Sequence, residues 1–468
     1  MLVDNSPVSE QSGSKINGSQ NNKTYSKLFG CNIYNSIRVS PMAIKIINTW
    51  EFQRLRYIKQ LGLCHYIYPA ATHTRFEHSI GVYHLAGLMM EKILHQYPNK
   101  EFLIPEISQK PIKLDHKIIE CIKIAGLCHD IGHGPFSHIF DDILLANSTH
   151  PNRHHEARSC LIVEIICKRE LVDELDDTHI SFIKSVINPK EHHSGALYQI
   201  VSNNLNGIDV DKFDYLARDT KNLNICNGFN AYRLINEFII DGNNNIAYPK
   251  HCSTDVYELF HCRYLMHKKV YNHKTVKLVE LMLGDLFIKI DPILNISKSI
   301  ENINDFCKLT DDTIFYFIQT VMIPQPFYKI NLSESQLSQI KEASDIFQNI
   351  ISRNLYQLIS ENTDNNREDI IFKNFLKKLL VKYPNLKPEN FAIIRKKIGF
   401  VNSDQKDPFD NIYFYDKKEN NNNTFTVKKS HISGLVGNEI SETHWYLICK
   451  ERSIYHLIVE EFNLYNNN

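Results

Sequence analysis

The sequence predicts a mainly α protein, a long helical core followed by a small C-terminal α/β lobe. Three observations carry this. From about residue 41 to 290, apolar side chains recur at helical spacing. Within that span the stretches 79–90 and 117–127 are apolar almost all round, as helices buried in a core are. Beyond about residue 376 the pattern changes to short runs of alternating, β-branched and aromatic residues.

In chain order, residues 1–25 are rich in Ser, Asn, Gln and Gly and read as a disordered tail. The core is expected over 26–375, with further helical stretches at 256–290 and 337–360. The lobe is expected over 376–468, with strands at 391–400, 411–415, 424–427 and 444–449. The Asn-rich stretch 419–423 between them is a loop or hairpin tip. A chain of 468 residues exceeds the usual size of one core, which agrees with this division.

Fifty-three Lys and Arg cancel 53 Asp and Glu. That balance argues against nucleic-acid or membrane binding driven by bulk charge, though it permits local basic patches. Eleven cysteines make no CxxC pair, and Cys121, Cys128, Cys160 and Cys167 stand among apolar neighbours as small core side chains. With no N-terminal signal segment, this favours a reducing compartment, cytoplasmic or nuclear. No apolar run approaches the roughly 18 residues that span a bilayer, so no membrane is expected.

The chemistry lies in three elements. The run 73–78 reads His-Thr-Arg-Phe-Glu-His at the start of a helix. His129-Asp130 closes an apolar helix and is followed by Gly132-His133-Gly134-Pro135 and His138. The third element, 207–219, carries Asp211, Lys212, Tyr215 and Asp219. Two adjacent ionisable side chains at the end of an apolar helix are costly to bury without partners. A divalent cation satisfies both. His78, His129, Asp130 and Asp211 make a borderline-hard donor set suited to Fe, Mn, Zn or Co. A lone His-Asp dipeptide would more often be a buried hydrogen bond; three elements in order reverse that preference.

The remaining histidines suit a phosphoester site. His133 and His138 flank a helix break, and His154-His155-Glu156 follows on the next segment. Imidazoles beside a metal supply donors for phosphate oxygens and an acid for a leaving alkoxide. His84 and His116 read as surface residues. Asp211, Tyr215 and Asp219 fall at i, i+4 and i+8, hence on one stripe, with Lys212 and Arg218 at its edges. That stripe suits a metal–phosphate–sugar ligand, with a solvated face of ion pairs as the plain alternative.

These residues resemble the HD-domain superfamily, whose signature is H…HD…D, and within it the SAM-and-HD-domain dNTP triphosphohydrolases of animals. The resemblance rests on the runs 52–62, 75–79, 125–130, 132–138 and 207–212, and on 308–311, 352–355 and 408–415. It extends from about Lys27 to the C-terminus; the family's SAM domain has no counterpart here. It implies an HD-domain core and hydrolysis of a dNTP at the α-phosphorus, with the transition metal activating the attacking water. Gln60 and Leu61 match residues that pack on the sugar, and Tyr271 the aromatic residue beneath the deoxyribose, leaving no room for a 2′-hydroxyl. Arg75, Lys212, Tyr215, Asp219 and Arg263 match residues gripping the triphosphate and its magnesium, with Asp209 beside them. His133, His138, His155 and Glu156 match residues around the scissile phosphate, His138 as general acid and His133 as its alternative. Asn272 departs from the family's Gln near the base.

The resemblance also implies an allosteric homo-oligomer, dimer or tetramer, assembled by an activating nucleotide. Lys27, Gln53, Arg56, Lys274, Arg353 and Lys428 match activator-site positions. Asn48, Pro249 and His251 stand where the family has acidic or basic contacts, Asn48 in place of a guanine-selecting Asp. Two other readings compete: an HD phosphohydrolase acting on another nucleotide, and a nucleotide- or single-strand-binding oligomer without catalysis.

Overall fold

The computed structural model describes residues 26–226, 229–322, 332–363, 368–400, 407–418, 423–432 and 439–467. The expected tail over 1–25 and most of the 419–423 loop lie outside the described residues. Ahead of the first helix is a hairpin that helical spacing did not anticipate. Its strands β1 (Lys27–Cys31) and β2 (Asn35–Val39) pair antiparallel from Lys27↔Val39 to Cys31↔Asn35. In α1 (Pro41–Ile47), Ser40 caps the N-terminus by accepting the Ala43 N–H, and Pro41 occupies the first turn, where its missing N–H costs nothing.

The core is built around α2 (Arg75–Gln96), which is buried on almost every side and lies against α3 (His116–Cys128). Asp115 caps α3 through the Ile118 N–H at 2.8 Å. Next come α4 (His155–Glu170) and α5 (Asp177–Ile187), with α5 packed on both α3 and α4. Then α6 (Val210–Leu223), capped by Asp209, returns to pack on α2. A short antiparallel pair, β3 (Ile239–Ile240) and β4 (Ile246–Pro249), precedes α7 (Ser253–Met266). The helical stretch expected over 256–290 is interrupted: a wider turn at His267–Tyr271 ends α7, and α8 (Lys274–Leu294) restarts with His273 as cap. After α9 (Asp311–Met322), α10 (Glu334–Ile351) opens on a Ser333/Gln336 capping box and packs on α8.

The helix expected over 337–360 stops at Ile351. Arg353 takes φ +63° and Gln357–Thr363 is a strand, β5. Pairing decides this. The lobe sheet has the order β5-β9-β6, where β6 is Phe391–Gly399 and β9 is Ser441–Cys449; β7 (Tyr413–Tyr415) and β8 (Thr424–Phe425) lie between them in the chain. Central β9 buries Trp445–Cys449, so both its edges need partners, and 357–363 supplies one despite its helical spacing. One face of this sheet meets α8 through Leu278, Tyr446 and Ile448. The other buries Phe391, Trp445 and Leu447 with Phe372, Phe375 and Leu379 of α11 (Glu368–Lys382) and Ile458 and Phe462 of α12 (Tyr455–Asn466). The expected boundary at 376 falls inside α11. Strands β7 and β8 belong elsewhere: β7 pairs parallel with β4, making a four-stranded sheet on the helical core. Phe409, Ile412 and Phe414 are buried in that core. Among the described residues no helix is long and apolar enough to cross a membrane.

Candidate active site

Helices α2, α3 and α6 converge on one point, and each brings a donor. His78 comes from the first turn of α2, His129 and Asp130 from the end of α3, and Asp211 from the first turn of α6. Nε2 of His78 lies 3.2 Å from Nε2 of His129, and Asp211 Oδ1 lies 3.1 and 3.3 Å from those two atoms. His78, His129 and Asp211 thus converge as a candidate metal group, and Asp130 lies beside it, its Oδ2 3.5 Å from His78 Nε2 and its Oδ1 3.5 Å from His129 Nε2. Ligands about 2.1 Å from one ion lie roughly 3.0 Å apart in an octahedron and 3.4 Å in a tetrahedron. These separations fit one divalent cation at the centre.

The rings are aimed from behind. Nδ1 of His78 faces Asp214 Oδ2 at 2.8 Å, and Nδ1 of His129 faces the Gly126 carbonyl at 2.8 Å, leaving both Nε2 atoms for the centre. Asp214 is gripped by Arg218 at 2.9 Å through two nitrogens. Gly81 makes room for this pair: a Cβ there would sit 1.8 Å from Asp214 Oδ1. Electrostatics tell the same story. Burial alone would lower His78, yet Asp211, Asp214 and Asp130 push it up to about 10, and His129 is raised by Asp130 and Asp211. Carboxylates gathered round two buried imidazoles make a site built for positive charge.

Beside this centre stand three more imidazoles. His133 stacks on His155 with ring centroids 3.8 Å apart, and His138 lies edge-on to both at 5.1 and 5.7 Å. Their ring nitrogens converge as a second candidate metal group, His133, His138 and His155. Asp130 Oδ1 approaches His133 Nε2 at 3.3 Å and so joins the two groups. Burial, then Arg75 and His155, hold His133 well below the ordinary imidazole range. His138 is exposed at the rim of this group, and crowding by its neighbours, then Arg75 and His155, lowers its imidazole as well. Asp141 fixes His155 through its backbone N–H at 3.0 Å and Nδ1 at 3.1 Å, and Glu156 Oε1 lies 3.5 Å from His155 Nε2.

The other expected substrate residues are held by contacts of their own. Asp219 accepts the Tyr271 hydroxyl at 2.6 Å and faces His73 Nε2 at 2.7 Å. Lys212 pairs with Asp209 at 3.1 Å, and burial pushes Tyr215 up to about 12. Arg75 is buried, pairs with Asp130 and donates to Ser137 Oγ at 2.9 Å. Arg263 donates to the Gly399 carbonyl, and Asn272 is buried beside His267, 3.4 Å from Nδ1. Gln60 and Leu61 lie half-buried on the loop after Ile58, with the Gln60 N–H on the His73 carbonyl.

A family model for the HD domain matches residues 75–219, the span holding both histidine groups. The chain is 59% identical over 439 residues to HD domain-containing protein L394 of Acanthamoeba polyphaga mimivirus, covering 94% of this chain and 95% of that one. It is 33% identical to the Dictyostelium discoideum homolog of deoxynucleoside triphosphate triphosphohydrolase SAMHD1, covering 91% and 78%. With the Mus musculus deoxynucleoside triphosphate triphosphohydrolase SAMHD1 the identity is 32%, covering 91% and 69%. The chain belongs to the SAMHD1-like HD-domain family. It is therefore an HD-type phosphohydrolase.

Within this SAMHD1-like chain the positions expected to bind an activator fall on separate elements. Gln53 donates to the Ile47 carbonyl at 2.7 Å and accepts Arg56 Nε at 2.9 Å, while Arg56 lies over the Phe76 ring at 3.5 Å. Exposed Asn48 caps the end of α1 beside them. Lys27 is on β1, Lys274 opens α8 near Glu361 at 3.7 Å, Arg353 ends α10, and Lys428 follows β8. His84, expected at the surface, is half-buried against Tyr34, whereas His116 is exposed. Sequence reasoning gave no role to Asp214, Asp141 or Asp311. Asp214 and Asp311 fall within runs already singled out, but the sequence does not say what each carboxylate faces.

Proposed function

We propose that the chain cleaves deoxynucleoside triphosphates to deoxynucleoside and tripolyphosphate. The observation that carries this reading is the junction at Asp130, which lies between the His78–His129–Asp211 group and the three-imidazole group. A divalent transition ion (Fe, Mn or Zn) held by His78, His129, Asp130 and Asp211 supplies Lewis-acid polarisation and an activated water. The chain's own residues do the rest. Lys212, Tyr215, Arg75 and Arg263 bind and orient the triphosphate, with Asp209 and Asp219 near its Mg2+. His138 delivers the proton to the departing 5′-oxygen. It is neutral in the free cleft, and the charge of the triphosphate draws the proton onto it. His133 and His155 stand around the same phosphate, with Glu156 behind His155. Tyr271, tied to Asp219, and Leu61 with Gln60 close on the sugar and exclude a 2′-hydroxyl; Asn272 faces the base side. The names of the family relatives support the substrate class.

The test is incubation with each dNTP and each NTP, with tripolyphosphate resolved from pyrophosphate and orthophosphate. Tripolyphosphate as the first product, from dNTPs far faster than NTPs, is expected. Pyrophosphate or orthophosphate appearing first would overturn the assignment. The Asn48–Gln53–Arg56 patch supports a second element of the same reading. An activating nucleotide binds there and, with Lys27, Lys274, Arg353 and Lys428, joins copies of the chain into an oligomer.

A further inference from the structure

The turn carrying His138 is held in an unfavourable backbone conformation. Phe136 and Ser137 both adopt φ +60°, the left-handed region that side-chain-bearing residues rarely enter, and here two do so in succession. Such strain persists only where surrounding contacts over-determine it. One buried carboxylate supplies the central contact. Asp311, at the start of α9, accepts the Phe136 N–H at 2.6 Å through Oδ1 and the Lys59 N–H at 2.9 Å through Oδ2.

The two backbones it joins touch elsewhere too. Ser137 Oγ donates to the Lys59 carbonyl at 2.7 Å, and Arg75 donates to the same hydroxyl. Gly62, at φ +50°, lets the loop lie against the turn, because a Cβ there would stand 3.0 Å from the Phe136 carbonyl oxygen. The neighbouring segment is tied down as well: buried Arg54 donates to the carbonyls of Ile131, His133 and Leu309. Residues 59–62 carry Gln60 and Leu61, and residues 133–138 carry His133 and His138. The carboxylate thus bridges the loop placed at the sugar and the turn placed at the scissile phosphate.

We propose that Asp311 is a positioning residue that locks the Gln60–Leu61 loop to the His133–His138 turn, so that sugar selection and proton delivery share one register. It touches neither substrate nor metal and acts through backbone N–H groups alone. This deepens the dNTP reading of the site and rests on it. An Asn at 311 offers one acceptor oxygen and turns an NH2 toward the second N–H, releasing one strand of the bridge. An Ala releases both.

The experiment compares wild type, Asp311→Asn and Asp311→Ala as full chains. It measures kcat and KM for one dNTP and its NTP, bound metal, the melting midpoint, and hydrogen exchange of the Lys59 and Phe136 amides. Expected for Asp311→Asn is a kcat fall of about tenfold or more with KM little changed, since misplacing a proton donor costs turnover rather than binding. The dNTP-over-NTP preference falls with it, metal and midpoint are retained, and exchange of at least one of the two amides quickens. Asp311→Ala goes further on each count. Wild-type kcat and sugar preference in Asp311→Asn would overturn the proposal, as would losses that only track metal or midpoint. If the wild type hydrolyses no dNTP, the substrate reading fails instead. The bridge is then judged on exchange alone, and wild-type protection of both amides in Asp311→Ala would overturn it.

Discussion

On opposite sides of the His78 ring stand Asp211, at Nε2 from 3.1 Å, and Asp214, at Nδ1 from 2.8 Å. Only the first can share an ion with His129; the second fixes which nitrogen points inward. Asp214→Asn can still accept from Nδ1–H but loses charge, so metal affinity should fall about 10- to 100-fold, as when an outer partner of a metal-bound imidazole is removed. Metal competition against a chelator checks this, and unchanged affinity would leave Asp214 a purely structural partner of Arg218. Asn48 gives a second case. Where the family places a guanine-selecting Asp, its amide has one acceptor oxygen and an NH2 opposed to a guanine donor. The loss is on the order of 1–3 kcal/mol, roughly ten- to a hundredfold in affinity. GTP should therefore activate the wild type poorly and Asn48→Asp strongly, measured as dNTP turnover with and without GTP; strong wild-type activation would refute the assignment. That His78, His129 and Asp211 come together was legible in the sequence because they sit in three motifs of fixed order. Asp214 was not, because its role depends on α6 lying against α2, a contact between residues 136 positions apart.

Helices whose apolar residues face a core on several sides announced themselves by composition, which is why α2 and α3 were legible. Two elements made by pairing were not. The β1–β2 hairpin ahead of α1 and strand β5 exist because a partner strand offers hydrogen bonds, and β5 ends a stretch whose spacing reads as helix. The strands at 413–415 and 424–425 were legible as strands, yet their sheet was not, since β7 finds its parallel neighbour β4 across some 165 residues. Packing between elements also yields a prediction. Helices α2 and α6 approach so closely at Gly81 that Asp214 and Arg218 fill the place of a Cβ. Gly81→Ala must push apart two helices that each carry a metal donor. It should destabilise by about 1–3 kcal/mol or more, the usual cost of overpacking, and should weaken metal binding as well. Gly30→Ala on β1, where a Cβ meets nothing within 4 Å, is the control and should change stability little. Urea midpoints of the two variants decide it, and equal midpoints would show that the interface yields without cost.

Across the whole molecule the charges balance, so its pH response rests on particular buried groups rather than on net repulsion. Asp311 is the clearest of those outside the metal centre. Burial pushes its carboxyl from 3.8 to about 6, against the pull of the Lys59 and Phe136 N–H groups. Below about pH 4 folded and unfolded chains both carry the proton, and the site costs folding nothing. Between about 4 and 6 the unfolded chain releases it while the folded chain keeps it, so stability falls as pH rises. Above about 6 the loss is complete, roughly 3 kcal/mol for a move of about two pH units. Asp311→Asn cannot titrate and lacks this slope. At neutral pH the variant gains the relief of a buried charge and loses one acceptor, two effects of similar size and opposite sign, which is why its melting midpoint should stay near wild type. The stability of wild type minus that of Asp311→Asn, from urea unfolding at a series of pH values, should therefore decrease from pH 4 to pH 7. Other titrating groups, the metal donors included, are common to both chains and cancel in the difference. A difference that is flat across that window, or that rises with pH, would mean that the Lys59 and Phe136 N–H groups outweigh burial and hold the carboxylate ionised throughout.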